Sequence, residues 1–296
     1  MNIRNGLLFG LKVVAVGVTY VLAMMVAGMV LRLAGLQVPA SDNASGSLVS
    51  VVVIGLGMGL CLGPLAARLP ISRGWHLAVW ASVMFFNLSA TVIEGAFFIS
   101  TLGPALPALL LMELIATLAT AAVITALFAP AGTAQPVVLS RRSVGAWAWR
   151  LAVSALSYVV FYWVFGALNY SLFTHTYYET HQAALVVPPA QTILMLEVLR
   201  GAMLMLSVLP LALAWPLNGA SRMRLAVLCG VVLFVVGGLV PLISNASLPL
   251  FLRVASGWEI FFQNFSTGVV VALLLGNAAA ASAPARGVAP SPAVQH

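Results

Sequence analysis

Eight apolar stretches, at residues 8–36, 47–69, 76–99, 104–129, 145–172, 189–217, 223–245 and 253–276, dominate a chain of 296 residues. Each is near or above the ~20 residues that a helix needs to cross a bilayer. Hydrocarbon contains no water to pair with peptide groups, so an open sheet is excluded, and the stretches lack the two-residue alternation of a barrel. The expected class is all-α: a polytopic integral membrane protein with eight transmembrane helices. Hydrophobic residues make up 62% of the chain and charged residues 6%, with a mean hydropathy of +1.09, too little polar surface for a water-soluble domain.

The net charge of +7 is distributed along the ends of these stretches, with no basic block and no aromatic-interleaved patch, so no nucleic-acid partner is expected. Arg4, Lys12, Arg68, Arg73, Arg141, Arg142, Arg150, Arg222 and Arg224 fall on one set of alternate loops and helix ends. The other set holds Arg32 and Arg253 at helix ends, with Asp42, His175, Glu179 and His181. Positive charge favours the cytoplasmic side, which predicts a cell-membrane protein with both termini in the cytoplasm. Helix 1 has the basic start of a signal peptide, but its length and its likeness to helix 5 predict that it is retained. Cys61 and Cys229 lie inside apolar stretches and form no CxxC motif or disulfide framework.

The chain also matches itself. A shift of 138 residues aligns Lys12 with Arg150, Thr19 with Ser157, Tyr20 with Tyr158, Val21 with Val159 and Gly28 with Gly166. A shift of 146 aligns the two prolines of Pro64–Pro70 with those of Pro210–Pro216, and Glu113, Thr117 and Thr120 with Glu259, Gln263 and Ser266. Leu77–Val79 matches Leu225–Val227 between them. Four matches in the same helix order predict two parallel four-helix repeats, 1–130 and 144–276, joined by a cytoplasmic linker at 131–143. Units with an even number of crossings share orientation, so their pseudo-two-fold axis runs along the membrane normal. The tail at 277–296, rich in Ala and Pro, is expected to be disordered. Gly55, Gly59 and Gly63, four residues apart, give helix 2 a smooth face for close packing.

Charged groups inside a bilayer are costly, and this chain has five. Helix 3 carries Asn87, Thr91 and Glu94; helix 4 carries Glu113, Thr117 and Thr120; helix 6 carries Glu197 and Arg200; helix 8 carries Glu259, Gln263 and Ser266. Within each set the spacing places the residues on one helical face. Counting ~1.5 Å per residue, Glu113 and Glu259 lie roughly 10 Å from the outer boundary and Glu197 and Arg200 roughly 12 to 16 Å, with Glu94 near the outer end. We expect a polar cavity that opens outward, with Glu113 and Glu259 facing each other across the pseudo-axis. Two structural alternatives stand beside this: a local Glu197–Arg200 ion pair that glues helices, and protonated Glu113 and Glu259 donating to neighbouring carbonyls.

The expected outer loop from Asn169 to Pro189 holds His175, Tyr177, Tyr178, Glu179 and His181, and its His-x3-Glu-x-His spacing admits a metal site as an alternative to ordinary interfacial residues. Asn-x-Ser triplets at Asn43 and Asn245 fall in outer loops but are too common to carry meaning. HExxH, GxSxG and Walker motifs are absent from the sequence, and no cofactor is expected. The leading expectation is a transport or permeation protein that binds a cation, proton or small polar solute through Glu94, Glu113, Thr117, Glu197, Arg200, Glu259 and Gln263. The alternatives are a noncatalytic membrane subunit that joins a membrane-protein partner or a second copy of itself, and a metal-dependent intramembrane enzyme using His175, Glu179 and His181.

Overall fold

The computed structural model describes residues 3–38, 44–98, 102–132, 134–137, 139–180, 188–215, 221–244 and 249–276. The expectations for Asp42, Asn43, His181, Pro216, Asn245 and the tail at 277–296 fall outside the described residues. Eight helices are long and apolar enough to span a membrane, and no strand occurs among the described residues. We label them α1 (Ile3–Leu33), α2 (Ala44–Ala66), α3 (Arg73–Phe98), α4 (Leu106–Phe128), α5 (Val144–Asn169), α6 (Ala190–Ala214), α7 (Ser221–Phe234) and α8 (Leu250–Leu275). Two of them run on through a π-helical turn. Helix α5 continues over Tyr170–Thr174 into His175–Thr180, and α7 over Val235–Leu239 into Val240–Ser244.

The expected boundaries hold to within a few residues, with one correction. The segment after helix 5, expected to be loop from Asn169, is helical through Thr180. Tyr170, Leu172 and Phe173 keep it apolar enough to remain helical where the composition looks like a belt of aromatic and polar residues. Pro189 caps α6, where its missing N–H costs nothing.

Helix α1 packs on α2 and α4, and α3 and α2 also pack on α4. In the second part of the chain α5 packs on α6 and α8, and α7 and α6 also pack on α8. The two groups meet where α3 lies on α6 and α7, and α2 on α7. One apolar core runs through both groups, from Tyr20, Met58 and Trp80 to Val208, Leu233 and Leu275. Helices α1 and α5 turn large apolar side chains outward, among them Leu7, Met25, Met29, Val160 and Trp163, as a lipid-facing surface requires.

In lipid the hydrophobic effect does not drive helices together, so close contact and interhelical hydrogen bonds must. Gly55 delivers the first: a Cβ there would lie 2.9 Å from Gly17 Cα, so α1 and α2 cross backbone on backbone. At Gly268 a Cβ would lie 2.5 Å from the backbone of Cys229 and Gly230, and α8 meets α7 there. Helix ends are closed by basic side chains. Lys12 Nζ donates to Leu127 O at the end of α4 (2.5 Å), and Arg142 donates to Leu275 O and Gly276 O at the end of α8 (3.3 and 2.8 Å).

The packing predicts a sharp contrast between two glycines. Gly268→Ala should destabilise the protein by about 1 to 3 kcal/mol, because the added methyl forces two backbones apart. Gly10→Ala, whose Cβ would meet open space inside α1, should cost nothing and raise stability by up to about 1 kcal/mol through helix propensity. Thermal denaturation of the purified protein in detergent reads both.

Candidate functional site

Four charged side chains gather towards the end of the bundle at which α3 and α5 finish and α6 and α8 begin, here called the acidic end. The centre is Arg200, on the third turn of α6 and 8% exposed. Its Nη1 donates to Glu94 Oε1 and Glu197 Oε2, each at 2.8 Å, and its Nη2 meets Glu94 Oε2 at 2.8 Å. Glu94 thus accepts the guanidinium fork through both oxygens, from a different helix. The Tyr158 ring, from α5, lies 5.2 Å from the guanidinium carbon and covers it.

Glu259 on α8 belongs to the same neighbourhood, within electrostatic reach of Glu94, Glu197 and Arg200. Its oxygens are held separately. Asn169, the last residue of α5, donates Nδ2 to Oε2 at 2.6 Å, and Gln263 donates Nε2 to Oε1 at 2.7 Å. Gly166 makes room for this carboxylate, since a Cβ there would sit 3.2 Å from Glu259 Oε1. Tyr162 lies near all four charged groups.

The expected i, i+3 pair between Glu197 and Arg200 is present, and it is one arm of a larger arrangement in which Glu94 supplies the other. Glu113 has a separate setting. Tyr20 on α1 donates its hydroxyl towards both Glu113 oxygens, at 3.1 and 3.0 Å, and Thr117 donates to the Glu113 carbonyl at 2.6 Å. Among the described residues no hydrogen bond or ion pair joins Glu113 to Glu259, and each is held by donors of its own. Each carboxylate is answered by its own helix neighbours, since a partner one helix away costs less side-chain reach than one across the bundle. The polar stripe of α8 also turns slightly from its expected path: Thr267, fully buried, donates to Gln263 O, while Ser266 is half-buried.

Further polar contacts run along the seam between the two helix groups. Asn87 Nδ2 donates to Ser207 Oγ at 3.1 Å, Thr91 Oγ1 to Gly237 O at 3.2 Å and Ser50 Oγ to Ser244 O at 2.6 Å. Gly237 belongs to the π-helical turn of α7, and a side chain there would collide with Asn87 Oδ1. At the opposite end of α3, His76 is fully buried and uses both ring nitrogens: Trp80 Nε1 donates to Nδ1 at 3.0 Å, and Nε2 lies 2.9 Å from Leu69 O. An Nδ1 that accepts places the proton on Nε2, so this is a neutral ring locked in one tautomer.

Of the metal-site alternative, His175 and Glu179 are both exposed and His181 is not described. Among the described residues no three His, Cys, Asp or Glu side chains come together as a ligand set. Asn169, Tyr20 and Tyr158 were not expected as site residues. For the tyrosines a signal existed, because the shift that aligns helices 1 and 5 sets Tyr20 against Tyr158. No protein-family model, no curated protein and no solved structure matches the chain.

Two substitutions follow from this geometry. Arg200→Met strands two carboxylates and should cost about 3 to 5 kcal/mol, most of which the triple variant with Glu94→Gln and Glu197→Gln should restore. Tyr20→Phe removes the hydroxyl donor of Glu113 and should cost about 1 to 3 kcal/mol, with little further loss when Glu113→Leu is added. Thermal shift in detergent tests the first and a double-mutant cycle the second.

Proposed function

We propose that this protein moves a cation, a proton or a small polar solute across a cell membrane, through a site made by Glu94, Glu197, Arg200, Glu259 and Gln263. The observation that carries this reading is the convergence of three carboxylates and one guanidinium from α3, α6 and α8. A helix bundle that needed only cohesion could use apolar side chains at those positions, as buried ion pairs are often no more stabilising than well-packed hydrophobes. Ionisable groups within membrane spans mark ion and proton paths when they face the bundle interior.

We further propose that the chain is two parallel four-helix repeats, 1–130 and 144–276, and that the cluster lies on the outer side of their seam. The packing supports this: α1 on α2 and α4 has its counterpart in α5 on α6 and α8, and α3 on α6 exchanges with α2 on α7. Most of the basic residues lie at the end opposite the cluster, which the positive-inside rule assigns to the cytoplasm together with both termini. In this reading Glu113 and Thr117 form the reduced counterpart of the Glu259 and Gln263 arrangement, turned to holding α1 on α4.

Purified protein in liposomes should carry at least one of proton, sodium, potassium or small neutral polar solutes faster than empty liposomes do. Glu259→Gln should lower that flux by about tenfold. Equal flux in wild type and the variant, with both folded, assigns Glu259 to helix packing; no flux of any solute removes the transport reading.

A further inference from the structure

We propose that the ligand of this site is a proton and that Glu197 Oε1 is the atom that takes it; the inference rests on the transport reading above. It starts from the carboxylate oxygens that lack a donor. Both Glu94 oxygens accept from Arg200, and the two Glu259 oxygens accept from Asn169 and Gln263. Glu197 Oε2 accepts from Arg200 Nη1. Glu197 Oε1 is the exception: it has no hydrogen-bond partner among the described residues, and its residue is 0% exposed. An unpartnered buried carboxylate oxygen is expensive, and a native structure retains one for a reason.

The coordination arithmetic selects the ligand. A hard metal cation needs about six oxygens that converge on one point. Here five of the six carboxylate oxygens are already engaged by N–H donors, and the described residues bring no metal-ligand group together. A proton needs one oxygen.

Charge points the same way. The groups that face Glu197 are Glu94 from α3, Arg200 on its own helix, Tyr158 and Tyr162 from α5, and Glu259 from α8. Three carboxylates against one guanidinium leave an excess of negative charge in a low-dielectric setting, and one proton reduces it without requiring space. The Tyr158 hydroxyl, fully buried and also without a partner, adds a neutral polar group beside the same cluster.

Access is built in. The Glu94 side chain is 30% exposed while that of Glu197 is closed off, and both carboxylates share Arg200 Nη1 as donor. A proton taken up by Glu94 leaves its O–H bond and forms one at Glu197, returning Glu94 to the carboxylate that accepts the fork. Arg200 keeps its charge throughout, as a guanidinium does.

The test uses full-length protein in phosphatidylcholine and phosphatidylglycerol vesicles that contain a pH-sensitive dye, driven by a potassium gradient and valinomycin, together with infrared difference spectra across a pH step. Wild type should acidify the lumen and show a carboxylic-acid carbonyl band that titrates. Glu197→Gln should remove the band and slow acidification by about tenfold or more. Glu197→Asp, which retains a carboxyl group, should keep a shifted band and so guards against a folding failure of the first variant. A band that survives Glu197→Gln, or a flux of sodium or solute with no titrating carboxyl, overturns the proton assignment and leaves the transport reading standing. A titrating carboxyl at Glu197 without any flux does the reverse: the proton site stands and transport falls.

Discussion

A guanidinium cannot be left alone in hydrocarbon, and the acidic end of this bundle is arranged around that constraint. Arg200 is enclosed by α3, α5 and its own helix, and it keeps its charge because Glu94 and Glu197 meet it at 2.8 Å from two directions. The two partners differ in a way that matters mechanically. Glu197 travels with Arg200 on α6, whereas Glu94 comes from α3, across the seam between the two helix groups. Arg200 thus has one carboxylate on its own helix and a second, partly exposed one from across the seam.

Elsewhere on the seam the joints are weaker and more local. Asn87 with Ser207, Thr91 with Gly237 and Ser50 with Ser244 are neutral hydrogen bonds, each worth little in a membrane because alternative partners exist in the separated state. Contact within each helix group relies on close backbone approach instead, as at Gly17 with Gly55 and Gly230 with Gly268. The π-helical turn of α7 lies on this seam, where Gly237 gives Asn87 its space, and irregular turns of this type concentrate at functional positions.

How much was legible in the chain varies by the range of the interaction. The eight spans were readable because the bilayer imposes a length and an apolar composition on each. The Glu197–Arg200 pair was readable because residues three apart on a helix are neighbours wherever the helix sits. Glu94 was visible as a buried acid but not as the second partner of Arg200, since the two are 106 residues apart and meet only through the packing of α3 on α6. The hydroxyl donor of Glu113, Tyr20 on α1, was not visible for the same reason, being 93 residues away and met only through the packing of α1 on α4. The helical extension to Thr180 was missed because a mixed aromatic and polar composition suits both a loop and a helix end.

By itself the sequence determined that this is an eight-helix membrane protein, with its acids towards one end and most of its bases towards the other, because solvation by hydrocarbon acts on each segment independently of the rest. Tertiary structure alone decided which of the buried acids come together. Glu94, Glu197 and Glu259 share the surroundings of Arg200, and Glu113 does not, because helix packing, rather than position along the chain, decides which charges come within reach of one another.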